Sequence, residues 1–76
     1  MLERVKEIIA DITRNPLYDI HEHSNHRSVD GWDSIAQINI IVTIGMDFGV
    51  SFNDEEVHSL NSVRKIMHAL KETAAA

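Results

Sequence analysis

Hydrophobic positions along the chain fall into three stretches of helical period, separated by polar segments. Leu2, Val5, Ile8, Ile9 and Ile12 recur at three- and four-residue spacing and form one apolar stripe, which predicts a helix over about residues 2–14. Asn15-Pro16 ends it, because proline disfavours helical geometry in the residue before it. The chain to Asp33 is then polar and rich in His, Asn, Ser and Asp, with Leu17, Tyr18, Ile20 and Val29 expected to pin it onto the core. A loop of this length is unusual in so small a domain, and such loops often serve a function.

The second stretch predicts a helix over 34–48, with Asp30-Gly31 as the turn before it and Gly49 as a left-handed stop. At roughly 100° per residue, Ile40, Ile41, Ile44 and Phe48 share one side. Ile35, Ile38, Val42 and Met46 gather on nearly the opposite side. One apolar stripe suffices to hold a surface helix to a core. A second stripe therefore means either burial under the long loop or a face offered to a partner, and three other short helices could hardly enclose this one. Asn53 and Glu56 form a capping-box pattern for a short helix over 54–59. Ser62 caps a last helix over 62–72, where Val63, Ile66, Met67 and Leu70 keep the period, and the tail KETAAA is expected to fray. The outcome is all-α: a single domain over 1–76, a bundle of three longer helices and one short one, with a long loop after the first.

Composition narrows the function. The chain has 76 residues, and a domain of that size buries only about 60% of its unfolded surface, which disfavours a deep catalytic cleft. The absence of cysteine excludes disulfides, thiolate metal sites and a cysteine nucleophile, and fits a reducing interior. The N-terminus lacks the unbroken apolar run of a signal peptide, and nothing approaches the roughly 18 apolar residues of a membrane span. A cytoplasmic monomer is the expectation. A net charge of −5 with no basic stripe argues against nucleic acid. His21, His23 and His26 lie close in sequence, yet lack a recognised zinc spacing, so a solvated loop without metal is expected. His58 and His68 fall on helix surfaces and suggest no special role.

Ser34 is the candidate with chemistry. Ser34-Ile35-Ala36-Gln37 fits a capping box, in which the serine would only satisfy a backbone N–H. A serine at a helix start is also a favourable place for a phosphodiester, since free N–H groups and the helix dipole stabilise anions there. Residue chemistry alone leaves both open. A serine hydrolase is disfavoured, because there is no GxSxG elbow and no triad nearby in sequence.

Asp33-Ser34-Ile35 resembles the Asp-Ser-Leu/Ile attachment motif of acyl carrier proteins, which opens their second helix. The likeness extends without a gap from Gly31 to Ile66. It takes in the apolar Ile38, Ile41, Val42 and Ile44, Phe48 and Phe52, the acidic Asp54-Glu55-Glu56, Leu60, Asn61-Ser62 and Val63. With the first helix and the loop, it covers nearly the whole chain. The resemblance implies a carrier without catalytic residues of its own. A phosphopantetheinyl transferase with Mg²⁺ would move 4′-phosphopantetheine from coenzyme A to Ser34, with Asp33 beside it, and acyl groups would travel on the arm as thioesters. It also implies acyl-activating, acyltransferase or ketosynthase-type partner enzymes, recognised through Ile35, Ile38, Asn39, Val42 and Met46. Ile40, Ile44, Phe48, Leu60 and Val63 would wall an acyl pocket.

The sequence departs from fatty-acid-synthesis carriers, which bear several acids along this helix. Here stand Gln37, Asn39, Thr43 and Gly45, with Asp47 the only interior acid. Partner recognition is then expected to rely on the apolar stripe more than on charge. Trp32 is more similar to stand-alone carriers of dedicated pathways, such as polyketide or other specialised acyl metabolism. Peptidyl carriers rank second, since they commonly have histidine where this chain has Asp33. An interaction domain with Ser34 as a mere cap is the rival of a different class.

Overall fold

The computed structural model describes residues 1–75. It contains α1 (Leu2–Thr13), a 3-10 turn (Leu17–Asp19), α2 (Ser34–Phe48), α3 (Asp54–Ser59) and α4 (Val63–Ala75), and no strand among the described residues. The fold is an all-α bundle in which α1 packs on α2 and α4, and α3 closes against α2. Val5, Ile8 and Ile9 of α1, Ile40, Ile41 and Ile44 of α2, and Val63, Ile66 and Leu70 of α4 meet in one core. Each such side chain contributes about 1.5–3 kcal/mol by leaving water, so these nine dominate the packing.

Local chemistry sets the helix ends. α1 stops at Arg14, whose φ of 61° is left-handed. The Arg14 and Asn15 amides donate to the Asp11 and Ala10 carbonyls, a Schellman closure that precedes Pro16. α3 opens with a reciprocal box, Asn53 accepting from the Glu56 amide and Glu56 accepting from the Asn53 amide. The Ser62 hydroxyl accepts from the Lys65 amide at the start of α4. That last helix continues through Lys71 to Ala75, so the tail does not fray there; Ala76 lies outside the described residues.

The long loop is held by fewer apolar anchors than expected, and by more polar ones. Ile20, Val29 and Trp32 are buried, whereas Leu17 and Tyr18 face solvent. The 3-10 turn carries those two outward, and it buries none of its residues. Polar staples take over their role. The Asn15 side-chain Nδ2 donates to the Asp30 carbonyl at 2.7 Å and to the Thr13 hydroxyl at 2.8 Å. At the other end Asn25 and Ser62 form an isolated antiparallel bridge.

Gly31 completes the approach to α2. Its φ of 83° is left-handed, and a Cβ there would lie 2.8 Å from the Thr13 carbonyl oxygen. Gly31→Ala should therefore destabilise the domain by about 2 kcal/mol, through left-handed strain plus a clash with backbone. Chemical denaturation checks this, and a variant of unchanged midpoint would refute the close approach. Gly45 allows a second backbone contact: a Cβ there would meet the Val50 carbonyl oxygen at 2.7 Å. The Val50 amide in turn donates to the Gly45 carbonyl at 2.8 Å.

Candidate functional site

Ser34 is the first residue of α2, not its cap. Asp33 takes that position, its backbone extended and its carboxylate accepting from the Ala36 amide at 2.8 Å. The capping-box reading of Ser34 and Gln37 is thus overturned. Asp33 is an equally good cap one residue earlier, and its carboxylate reaches the amide first. The Ser34 side chain is exposed, and its hydroxyl has no hydrogen-bond partner among the described residues. The amides of Ser34 and Ile35 lie in the first turn, where no intrahelical carbonyl faces them.

Gln37 has a different role from the one its spacing suggested. It is 6% exposed. Its Oε1 accepts from the Trp32 indole N–H at 2.6 Å, and its Nε2 donates to the Val57 and Leu60 carbonyls at 2.8 and 2.9 Å. Indole N–H only donates and carbonyls only accept, so the amide orientation is fixed. Gln37 therefore closes the C-terminal end of α3 and ties it to the segment before Ser34. No buried side-chain polar atom is left unsatisfied among the described residues.

The outward stripe of α2 is open to solvent: Ile35 is 72% exposed, Ile38 40%, Val42 49% and Met46 79%. Asn39 is exposed beside them. The long loop does not cover it. Asp47, the one acid within the helix, is engaged by Arg4, whose Nε and terminal nitrogen donate to the two carboxylate oxygens at 3.0 Å each. That fork holds the Asp47 carboxyl below its usual range, chiefly through the hydrogen bond from Arg4. The exposed face of α2 thus presents hydrocarbon without a free acid.

Of the residues expected to wall an acyl pocket, Ile40, Ile44 and Val63 are wholly buried, Leu60 nearly so and Phe48 partly. They lie in the packed core. A groove of about 430 Å³ opens next to them, lined by Ile41, Val42, Gly45, Met46, Phe52 and Val57. A second pocket, of about 370 Å³, adjoins Ser34 and is lined by His26, Trp32, Asp33, Gln37, His58 and Asn61. Neither imidazole bonds to the Ser34 hydroxyl, and no carboxylate orients either one, among the described residues. His21, His23 and His26 do not converge, and no group of three or more metal-ligating side chains forms among the described residues.

An exposed serine opens α2 of this small helical domain, beside a polar pocket and an open apolar face. Comparison with known proteins shows the family. The profile of the phosphopantetheine attachment site matches residues 3–70. An acyl carrier protein of Thermosynechococcus vestitus is 30% identical over 77 residues, covering 100% of this chain and 94% of that protein. Acyl carrier protein 3 of Ralstonia nicotianae is 24% identical, covering 100% of this chain and 87% of that protein. An acyl carrier protein of Rickettsia bellii is 29% identical over 70 residues, covering 92% and 81%. The chain belongs to the acyl carrier protein family, whose cofactor is 4′-phosphopantetheine.

The residues fit that group. Ser34 offers a hydroxyl that nothing engages among the described residues, and the adjoining pocket carries the side chains of His26, His58 and Asn61, which can donate to a phosphodiester.

Proposed function

We propose that the chain works as one stand-alone carrier domain with the arm on Ser34, and that it serves fatty-acid-like, polyketide or other specialised acyl metabolism. The observation that carries the attachment is the exposed, unpartnered hydroxyl at the first residue of α2, with Asp33 left to cap the helix. In loading, the Ser34 oxygen forms a bond to the phosphorus of coenzyme A's pantetheine-bearing phosphate. The adenosine bisphosphate half leaves, and the serine proton passes to the transferase or to solvent. When bound, the group supplies a thiol on which acyl groups travel as thioesters.

The chain's own residues hold and present that arm. The Trp32–Gln37 pair fixes the segment before Ser34. Ile35, Ile38, Asn39, Val42 and Met46 form the docking face for the transferase and for acyl-handling enzymes. The lack of a free acid on this face supports a dedicated pathway, since carriers that rely on charge steering need unpaired carboxylates here. Ile40, Ile44, Phe48, Leu60 and Val63 wall the space an acyl chain would enter on parting α2 from α3. No helix among the described residues is long and apolar enough to cross a membrane.

The test is intact mass after incubation with coenzyme A, Mg²⁺ and a promiscuous phosphopantetheinyl transferase. The expected result is a gain of one phosphopantetheine, lost altogether in Ser34→Ala. A gain that survives in Ser34→Ala would place the attachment elsewhere, and no gain with several transferases would remove the proposed attachment.

A further inference from the structure

The pocket beside Ser34 draws its wall from three separate parts of the chain. His26 comes from the long loop, His58 from the end of α3, and Asn61 from the junction before α4. Backbone pairing holds them together. The His26 amide donates to the Asn61 carbonyl at 3.1 Å, and the Val63 amide to the Ser24 carbonyl at 2.9 Å, on either side of the Asn25–Ser62 bridge. Gln37 fixes the end of α3 that bears His58.

The side chains so placed are donors without partners. Neither imidazole makes a hydrogen bond or an ion pair among the described residues, whereas His23 and His68 lie against Glu22 and Glu72. Asn61 Oδ1 accepts from the Lys65 ammonium at 3.2 Å, which leaves the amide nitrogen as the free end of that side chain. The single acid lining the pocket, Asp33, accepts from the Ala36 amide through Oδ1 and lies against the positive end of the α2 dipole, which offsets its charge. A neutral imidazole still donates through one nitrogen, and a protonated one through both. The lining is thus suited to an anion with several acceptor oxygens.

We propose that His26, His58 and Asn61 form a seat for the phosphodiester and the adjoining hydroxyl and amide of the arm, so that the idle arm lies along this pocket and not in the apolar groove beside α2. The seat rests on Ser34 as the attachment point. That serine places the phosphorus one bond beyond its oxygen, at the rim of the pocket. Donors on a loop and on a helix end would hold the arm close to the body between visits to partners. They would release it readily, because each contact is exposed to competing water.

The experiment uses the intact chain before and after loading, with mass confirming one phosphopantetheine per molecule. The imidazole resonances are then compared. Expected are shifts of the His26 and His58 rings on loading, with contacts from both rings to the first methylenes of the arm. The rings of His21, His23 and His68 should stay in place. In the loaded His26→Ala/His58→Ala double variant, the phosphorus resonance should narrow as the arm becomes freer. Both substitutions are at exposed positions, and an unchanged thermal midpoint would show that the fold is kept. Full loading with unmoved His26 and His58 rings, or a phosphorus line indifferent to the double substitution, would overturn the seat alone. Absence of any mass gain would instead remove the attachment at Ser34.

Discussion

Gln37→Leu is expected to lower the stability of the domain by about 3 kcal/mol, although the replacement is apolar, similar in size and buried. The substitution removes one acceptor and two donors at once. The Trp32 indole N–H and the carbonyls of Val57 and Leu60 would lose their side-chain partner. A buried polar group stripped of its partner costs about 1–3 kcal/mol, and partial access of water to the α3 end keeps the sum below three full penalties. In a domain of this size that corresponds to a midpoint lower by roughly 12–24 °C. Trp32→Phe alone should cost less, since only one hydrogen bond is lost. Combined with Gln37→Leu it should cost less still, because the indole donor would already lack a partner. Strictly additive losses would mean that the two side chains are not coupled. The fluorescence of the single tryptophan follows unfolding of the unaltered chain and of Gln37→Leu, and far-ultraviolet circular dichroism follows all four chains, including the two that lack Trp32.

Ile38→Glu is expected to act in the opposite sense, with a large effect on partners and little on the fold. Ile38 lies in the middle of the exposed stripe of α2, between Ile35 and Val42. A charge placed there stays in water in the free protein, and stability should move by less than about 0.5 kcal/mol. At a docking surface the same carboxylate must be desolvated against apolar contacts. Loss of a central anchor commonly costs about 2 kcal/mol or more, so the transferase's kcat/KM for this chain should fall on the order of thirtyfold. A large loss of stability with unchanged kinetics would sink the docking role of this face.

These two residues also show what could be read in advance. The double stripe of α2 was legible because helical period alone separates Ile40, Ile41 and Ile44 from Ile35, Ile38, Val42 and Met46, and burial follows that division. The caps at Asn53 and Ser62 were legible because they involve only residues three apart. Gln37 was not, since its partners lie 20 and 23 residues away on a helix end whose position depends on the whole fold. A signal was nonetheless present: positions 37, 40, 41 and 44 form one i, i+3, i+4, i+7 set, which puts Gln37 on the inward face. The start of α2 at Ser34 was legible, but of two adjacent cap-forming residues it is Asp33, not Ser34, that takes the capping role. Leu17 and Tyr18 misled for a related reason. Apolar residues in a loop suggest anchorage, but a 3-10 turn directed these two outward. The gathering of His26, His58 and Asn61 around Ser34 had no local signature, because a single backbone bridge between distant segments creates it.

The contact between Gly45 and the Val50 carbonyl carries an implication for how such a chain diverges. Main chain meets main chain there, so the course of the polypeptide as it leaves α2 is set without reference to the side chains around it. Phe52 and Val57, which line the neighbouring groove, hang on that frame as replaceable fittings. Lineages could exchange them freely, widening or narrowing the recess in single steps, while the glycine stayed fixed. Variation among kin should therefore be uneven, with a silent position 45 amid restless neighbours. A designer reshaping that recess would begin with those neighbours and leave the glycine alone.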